Sequence, residues 1–198
     1  MMKVKFCGMK RTCDVLWANR LQPDYVGFVF AGHKRRISDL QAAKLRKLLD
    51  SRIPAVGVFV NEPVKHIIQL VKQGTIQIVQ LHGQEDEADI RRIRQAVNCP
   101  IIQAFSLNGA GDAARAERSK ADYILLDAAT GGSGKRFNWK WLYQIKRPFF
   151  LAGGLTAECI EEASRYHPFA LDVSSGIETD GCKDKKKMEK FIREARRI

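Results

Sequence analysis

Eight short apolar runs alternate with amphipathic stretches along this 198-residue chain, and the last two runs each open into a small, glycine-bearing turn. These observations predict an α/β fold in which eight parallel strands close into a (β/α)8 TIM barrel. The runs begin near Val4, Tyr25, Ala55, Ile76, Ile101, Tyr123, Phe149 and Phe169. They are largely apolar on both alternating faces, as parallel strands covered on two sides should be. Their spacing is roughly two dozen residues, close to the shortest workable βα unit.

The intervening helices follow in order. Leu45, Leu48 and Leu49 give a short apolar stripe, with Ser38 as the expected N-cap of its helix. Val64, Ile67, Ile68 and Val71 keep the i, i+3, i+4, i+7 spacing, and Ile90, Ile93 and Val97 give a shorter version. Met188, Phe191, Ile192 and Ala195 mark a last helix, expected to open at the basic run Lys183 to Lys187. No linker or composition break divides the chain, so residues 1–198 read as one domain. An open doubly wound sheet would be favoured by G-x-G-x-x-G after the first strand, and none is present.

Composition narrows the function. The chain is 45% hydrophobic and 28% charged, ordinary for a globular protein, with no apolar run long enough to span a bilayer. Its first residues are too few and too charged before Cys7 for a secretory leader. The five cysteines (7, 13, 99, 159 and 182) form no CxxC pair, so neither a zinc site nor a disulfide framework is expected. A cytoplasmic monomer without metal or cofactor is the expectation. The net charge is +12, but the basic residues are dispersed, with no aromatic-interleaved basic patch. That pattern suits attraction of a small anion better than binding of nucleic acid.

In a barrel, functional residues gather at the C-terminal ends of the strands. Those positions hold Cys7 and Gly8, the segment from Phe30 to Arg36, Asn61, Gln80, His82, Gly83, Ser106, Asp127, Gly153 and Gly154, and Asp172 to Gly176. Gly153, Gly154, Ser174 and Ser175 follow strands seven and eight. Their backbone N–H groups and hydroxyls suit a phosphate dianion, and Asp172 suits a sugar hydroxyl beside it. Cys7 and Asp127 are the candidate proton-transfer groups, which fits a cofactor-free reaction on a sugar phosphate. Each has a plainer reading. Cys7 could be a small buried hydrophobe and Asp127 a turn cap. His82 is a general base or, preferably, a neutral hydrogen-bonding residue. Trp139 and Trp141 read as packing groups, and Gly131 to Gly134 as a flap or a passive loop.

The ordered set of motifs is more specific than any one of them. Lys5-Phe6-Cys7-Gly8, Gly27-Phe28-Val29-Phe30, Val56 to Asn61, Val79-Gln80-Leu81-His82-Gly83 and Leu125-Leu126-Asp127 come first. Gly131-Gly132-Ser133-Gly134-Lys135, Ala152-Gly153-Gly154-Leu155 and Asp172 to Glu178 follow, with Gly181, Lys183 and Asp184 after them. In that order, from residue 3 to the last helix, the chain resembles the phosphoribosylanthranilate isomerase family.

The resemblance implies a (β/α)8 barrel that catalyses the Amadori rearrangement of N-(5′-phosphoribosyl)anthranilate in tryptophan biosynthesis. It makes Asp127 the general acid that opens the furanose ring and Cys7 the general base that removes the C2′ proton. Gly153, Gly154, Ser174 and Ser175 become the phosphate cradle, and Asp172 lies near the ribose hydroxyls and the anilino nitrogen. His82 counts among the substrate-side residues. An arginine after strand two engages the anthranilate carboxylate: Arg35 when counted back from Ser38, Arg36 when counted from the strand. The loop here is a residue shorter than is common in the family, and with Ser38 fixed as the expected N-cap the count from that side, Arg35, is preferred.

Lys5, two residues before Cys7, could favour its thiolate. A histidine-pathway isomerase would want paired aspartates where Cys7 and Ser106 stand, and an epimerase a His/Asp metal set. A basic barrel that only binds polyanions would leave the acid, the base and the phosphate turns without a purpose.

Overall fold

The computed structural model describes residues 1–127 and 138–198. The Gly131 to Gly134 segment lies outside the described residues. Eight strands close into a barrel in sequence order: β1 (Lys3–Cys7), β2 (Tyr25–Val29), β3 (Ala55–Phe59), β4 (Ile78–Leu81), β5 (Ile101–Ser106), β6 (Tyr123–Asp127), β7 (Phe149–Leu151) and β8 (Ala170–Val173). All eight pairings are parallel, and β1 closes onto β8 with Lys5 opposite Asp172.

Around the barrel lie α1 (Thr12–Leu21), α2 (Asp39–Leu48), α3 (Val64–Lys72), α4 (Glu87–Ala96), α5 (Ala110–Glu117), α6 (Ile160–Ser164) and α7 (Lys185–Arg196). The helix that follows β6 among the described residues is a 3₁₀ segment, Trp139–Gln144, and a second, Ala157–Cys159, leads into α6. The regular alternation read from the sequence is therefore looser in the last third of the chain. Trp139 is buried there and packs edge-on against Tyr166, as a packing group should.

Two apolar layers hold the fold together. The outer one packs the helices on the strands, with Phe6, Phe28, Phe59, Leu81, Ile93 and Phe191 among its fully buried side chains. The inner one fills the barrel with Val56, Ile78, Ile102, Leu125, Phe150 and Ala170. Tyr25, Tyr123, Phe150 and Phe169 cluster in this inner layer, with the Lys3 ammonium 4.2 Å from the centre of the Phe169 ring. Period two along each strand then delivers the residues above this layer to the opposite mouth.

Side-chain oxygens cap the starts of α2 and α4, and Ser38 is the one expected from the sequence. Ser38 accepts a hydrogen bond from the Gln41 backbone N–H, and Asp86 accepts two at the start of α4. The last helix differs from its sequence reading. It begins at Lys185, with Asp184 as N-cap accepting from the Lys187 N–H. Lys183 instead lies in a two-residue strand, β10 (Cys182–Lys183), paired antiparallel with β9 (Glu178–Thr179). The cause is electrostatic: Lys183 is buried against the Glu178 carboxylate rather than solvated on a helix face.

His66 joins the start of α2 to α3, its Nε2 2.9 Å from Asp39 and its Nδ1 2.8 Å from Glu62. Burial pulls its pKa down, but the hydrogen bonds and charges of the two carboxylates outweigh burial, and the net shift is upward. Such a group contributes stability that is fully present below the unfolded histidine value, near 6.5, and lost as pH rises through the raised folded value. His66→Gln should therefore destabilise the chain more at pH 5.5 than at pH 8.5, by up to about 1 kcal/mol. Paired urea titrations of both proteins at the two pH values check this.

Candidate active site

The barrel mouth at the strand C-termini opens into a cavity of about 310 Å³. Cys7, Arg35, Gln80, His82, Asp127, Gly153, Gly154, Asp172, Ser174 and Ser175 all line it, so of the residues given a catalytic or substrate-side role in the sequence only Arg36 stays outside, while the strand-end residues Asn61, Gly83 and Ser106 do not line it either. Val29, Val58, Ala152 and Leu155 supply its apolar wall.

Cys7 ends β1 and is buried. Its neighbour in register is Gly27, where an added Cβ would lie 2.8 Å from the Cys7 Sγ, so the thiol fits because β2 carries no side chain there. Lys5, one pleat below, is fully buried and donates to Asp172 Oδ2 at 2.8 Å. Burial lowers the Lys5 pKa, yet the charges of Asp172 and Cys7 prevail and the net shift is upward, so Lys5 stays charged. For Cys7, burial pushes the thiol up, Lys5 pulls it down, Asp172 pushes it up and Lys183 pulls it down. The net is upward. Lys5 thus acts in the direction expected from the sequence, but it does not overcome burial, and the resting group is the thiol.

Asp127 ends β6 across the same cavity. His82 Nε2 stands 3.6 Å from Asp127 Oδ2, and Gln80 Nε2 stands 2.8 Å from His82 Nδ1. An amide nitrogen can only donate, so Nδ1 accepts and the imidazole proton sits on Nε2, facing Asp127. Gln80 Oε1 and Asp172 Oδ1 are buried acceptors with no partner among the described residues. Below the rim, the Glu85 carboxylate accepts from the backbone N–H groups of Asn61 and Gly83, pinning the β3 and β4 loops together.

The opposite rim comes from the last two strands. Gly153 and Gly154 both have positive φ, +85° and +65°, a backbone that turns successive N–H groups toward one side. Ser174 donates from its hydroxyl to the Cys7 carbonyl at 3.0 Å, and Lys183 Nζ donates to the Ser174 carbonyl at 3.0 Å. The two loops touch at Gly176, where an added Cβ would lie 1.8 Å from the Leu155 carbonyl oxygen.

The two candidate arginines separate cleanly. Arg36 is exposed, forms an isolated bridge with Val29 and does not line the cavity. Arg35 turns in. Its stem crosses Gly8, whose φ is +81° and where an added Cβ would lie 2.7 Å from Arg35 Cδ. Its Nε and Nη2 both donate to Glu178, at 2.8 Å each. Glu178 also accepts from Lys183 at 2.6 Å. Burial alone would raise the Glu178 pKa, but Arg35 and Lys183 bring it down to about 2.

Glu178 and Lys183 were not read as site residues in the sequence, and Gln80 stood among the strand-end positions without an assigned role. The only signal for Glu178 and Lys183 was their place in the motif run after β8. Among the described residues, no cluster of three or more His, Cys, Asp or Glu could hold a metal ion, and no helix is long and apolar enough to cross a membrane.

The contact at Gly176 gives a direct test of how the two loops are held. The atom an alanine methyl would meet is backbone and cannot swing aside, so Gly176→Ala should cost about 1–3 kcal/mol. A urea midpoint unchanged from wild type would show that the loops separate freely.

Comparison with known proteins identifies the family and agrees with the fold. The family model for N-(5'phosphoribosyl)anthranilate (PRA) isomerase matches residues 4–194. The chain is 43% identical over 198 residues to an N-(5'-phosphoribosyl)anthranilate isomerase from Endomicrobium trichonymphae, covering 98% of each chain. The phosphoribosyl anthranilate isomerase from Thermus thermophilus superposes with a TM-score of 0.91 at 32% identity, covering 99% of each chain. A phosphoribosyl anthranilate isomerase in complex with reduced 1-(o-carboxyphenylamino)-1-deoxyribulose 5-phosphate superposes with a TM-score of 0.87 at 33% identity over the whole of both chains. The chain belongs to the N-(5'-phosphoribosyl)anthranilate isomerase family.

Proposed function

We infer that this chain converts N-(5′-phosphoribosyl)anthranilate to 1-(2-carboxyphenylamino)-1-deoxyribulose 5-phosphate, an isomerisation in tryptophan biosynthesis, with Asp127 as general acid and Cys7 as general base. The observation that carries the reading is the convergence of one thiol and one carboxylate, from β1 and β6, on a single cavity. Its rim offers hydroxyls and turned backbone on one side and an arginine on another.

The steps balance with these groups alone. Protonated Asp127 gives its proton to the furanose ring oxygen. The C1′–O bond breaks as the anilino nitrogen lone pair forms C1′=N. Cys7, as thiolate, takes the C2′ proton, and the electron pair left behind forms C1′=C2′ as the C1′=N pair returns to nitrogen, giving an enolamine. C1′ then gains a proton and the C2′ hydroxyl loses one, leaving the ketone. His82, with its Nε2–H facing Asp127, stabilises the carboxylate formed in the first step. Gly153, Gly154, Ser174 and Ser175 take the phosphate. Asp172 Oδ1 is the buried acceptor for the ribose hydroxyls and the anilino nitrogen. Arg35 takes the anthranilate carboxylate, and Arg36, outside the cavity, does not.

The test follows the fluorescence of freshly generated phosphoribosylanthranilate with wild type, Cys7→Ser and Asp127→Asn side by side. Wild type should consume the substrate, and each variant should be slower by roughly 10²- to 10⁴-fold, the usual contribution of a proton-transfer group. A folded but inactive wild type would sink the reading.

The state of the base can be measured separately. The thiolate absorbance lost on Cys7→Ser should titrate above the ordinary thiol range, because burial outweighs Lys5. Lys5→Met should move that midpoint higher still. A Cys7 midpoint at or below that of free cysteine would contradict this account.

A further inference from the structure

The two basic groups nearest Glu178 do not meet the carboxylate in the same way. Arg35 presents one edge, Nε and Nη2, to its two oxygens. Lys183 approaches Oε1 as a point charge and uses its remaining protons on the Ser174 carbonyl and hydroxyl. All three side chains are largely buried, with 13%, 6% and 1% of Arg35, Glu178 and Lys183 exposed. The Ser174 hydroxyl in turn donates to the Cys7 carbonyl. One continuous chain of contacts thus runs from Arg35 through Glu178 and Lys183 to the β8 loop and the end of β1.

A guanidinium can bind carboxylates through two of its edges. Here the Nε–Nη2 edge is taken, so the Nη1–Nη2 end is what remains for a ligand in the cavity that Arg35 lines. Two cations against one carboxylate leave one positive charge on the triad. Fixing the fork in advance also removes much of the rotamer freedom that a long side chain would otherwise lose on binding.

We propose that Glu178 is a positioning residue for recognition of the substrate carboxylate: it clamps Arg35 by one edge and sets the other toward the cavity. The proposal rests on the assignment of Arg35 to that carboxylate. Lys183 keeps the clamp from neutralising the arginine and couples its position to the Ser174 turn. Glu178 acts through Arg35 and touches no reacting atom.

The experiment compares Glu178→Gln, Arg35→Met and the double variant on two ligands. One is the reduced carboxyphenylamino deoxyribulose phosphate, and the other is the same compound without its ring carboxylate. Wild type should bind the carboxylated form at least tenfold more tightly. Arg35→Met should abolish that preference. Glu178→Gln should reduce it at least fivefold, and the double variant should lose no more than Arg35→Met alone. In turnover, Glu178→Gln should raise KM at least fivefold while kcat changes by less than threefold.

Two failures are distinct. If Arg35→Met keeps the carboxylate preference, the assignment of Arg35 fails. If Arg35→Met loses it and Glu178→Gln keeps it, the positioning role of Glu178 fails. Should Glu178→Gln not fold, Glu178→Gln with Lys183→Met removes one buried charge of each sign. The same loss of preference is then expected, and its retention overturns the proposal.

Discussion

The ion pair between Lys5 and Asp172 lies on the seam where the barrel closes. These residues are opposite one another in the β1–β8 register, and their charged atoms are 2.8 Å apart in an interior that excludes water from Lys5. Slipping that register by one residue would turn Lys5 out of the barrel and leave Asp172 alone. Removing one partner of a buried pair typically costs about 3–5 kcal/mol, because the other charge is left without compensation. The same contact sets the field around Cys7, one pleat above. Closure of the fold and electrostatics of the candidate base are one arrangement, so neither can be altered without the other.

That arrangement leaves the thiol protonated at rest. A buried thiolate is opposed by desolvation and by Asp172, and helped by Lys5 and Lys183. The upward shift adds a cost to generating the candidate base near neutral pH. A base with a higher pKa is also a stronger proton acceptor once formed, so part of that cost returns in the transfer step. Burial of Asp127 strengthens its contact with His82 relative to the same contact in water.

Most of the frame was legible because periodicity reports burial on two faces. Strands expected near Val4, Tyr25, Ala55, Ile101, Tyr123 and Phe149 contain or start at those residues. β4 begins at Ile78, two residues after the expected Ile76, although the Gln77 N–H already bonds the Ala55 carbonyl. The convergence of Cys7, Asp127, Asp172 and the Gly and Ser turns on one cavity followed from their places at strand ends. What local patterns could not reveal was pairing across the barrel. Lys183 sits in a run that looks solvated, and only the fold brings Glu178 to it and to Arg35, 143 residues away. Counting back from Ser38 favoured Arg35 over Arg36, but the contact that separates them, the Arg35 stem crossing Gly8, was not legible.

Charge is distributed unevenly over the mouth, and the unevenness has a consequence. The floor pair, Lys5 and Asp172, is neutral as a unit, whereas the triad of Arg35, Glu178 and Lys183 keeps one positive charge. An anion entering the mouth is therefore drawn to the rim rather than to the floor. The chain's net charge of +12 acts over a longer range and in the same direction, raising encounter rates with an anion until salt screens it. Long-range attraction does not discriminate among anions. Discrimination has to come from the fixed geometry at the rim, where a guanidinium already held along one edge accepts a carboxylate only from the direction its free end faces.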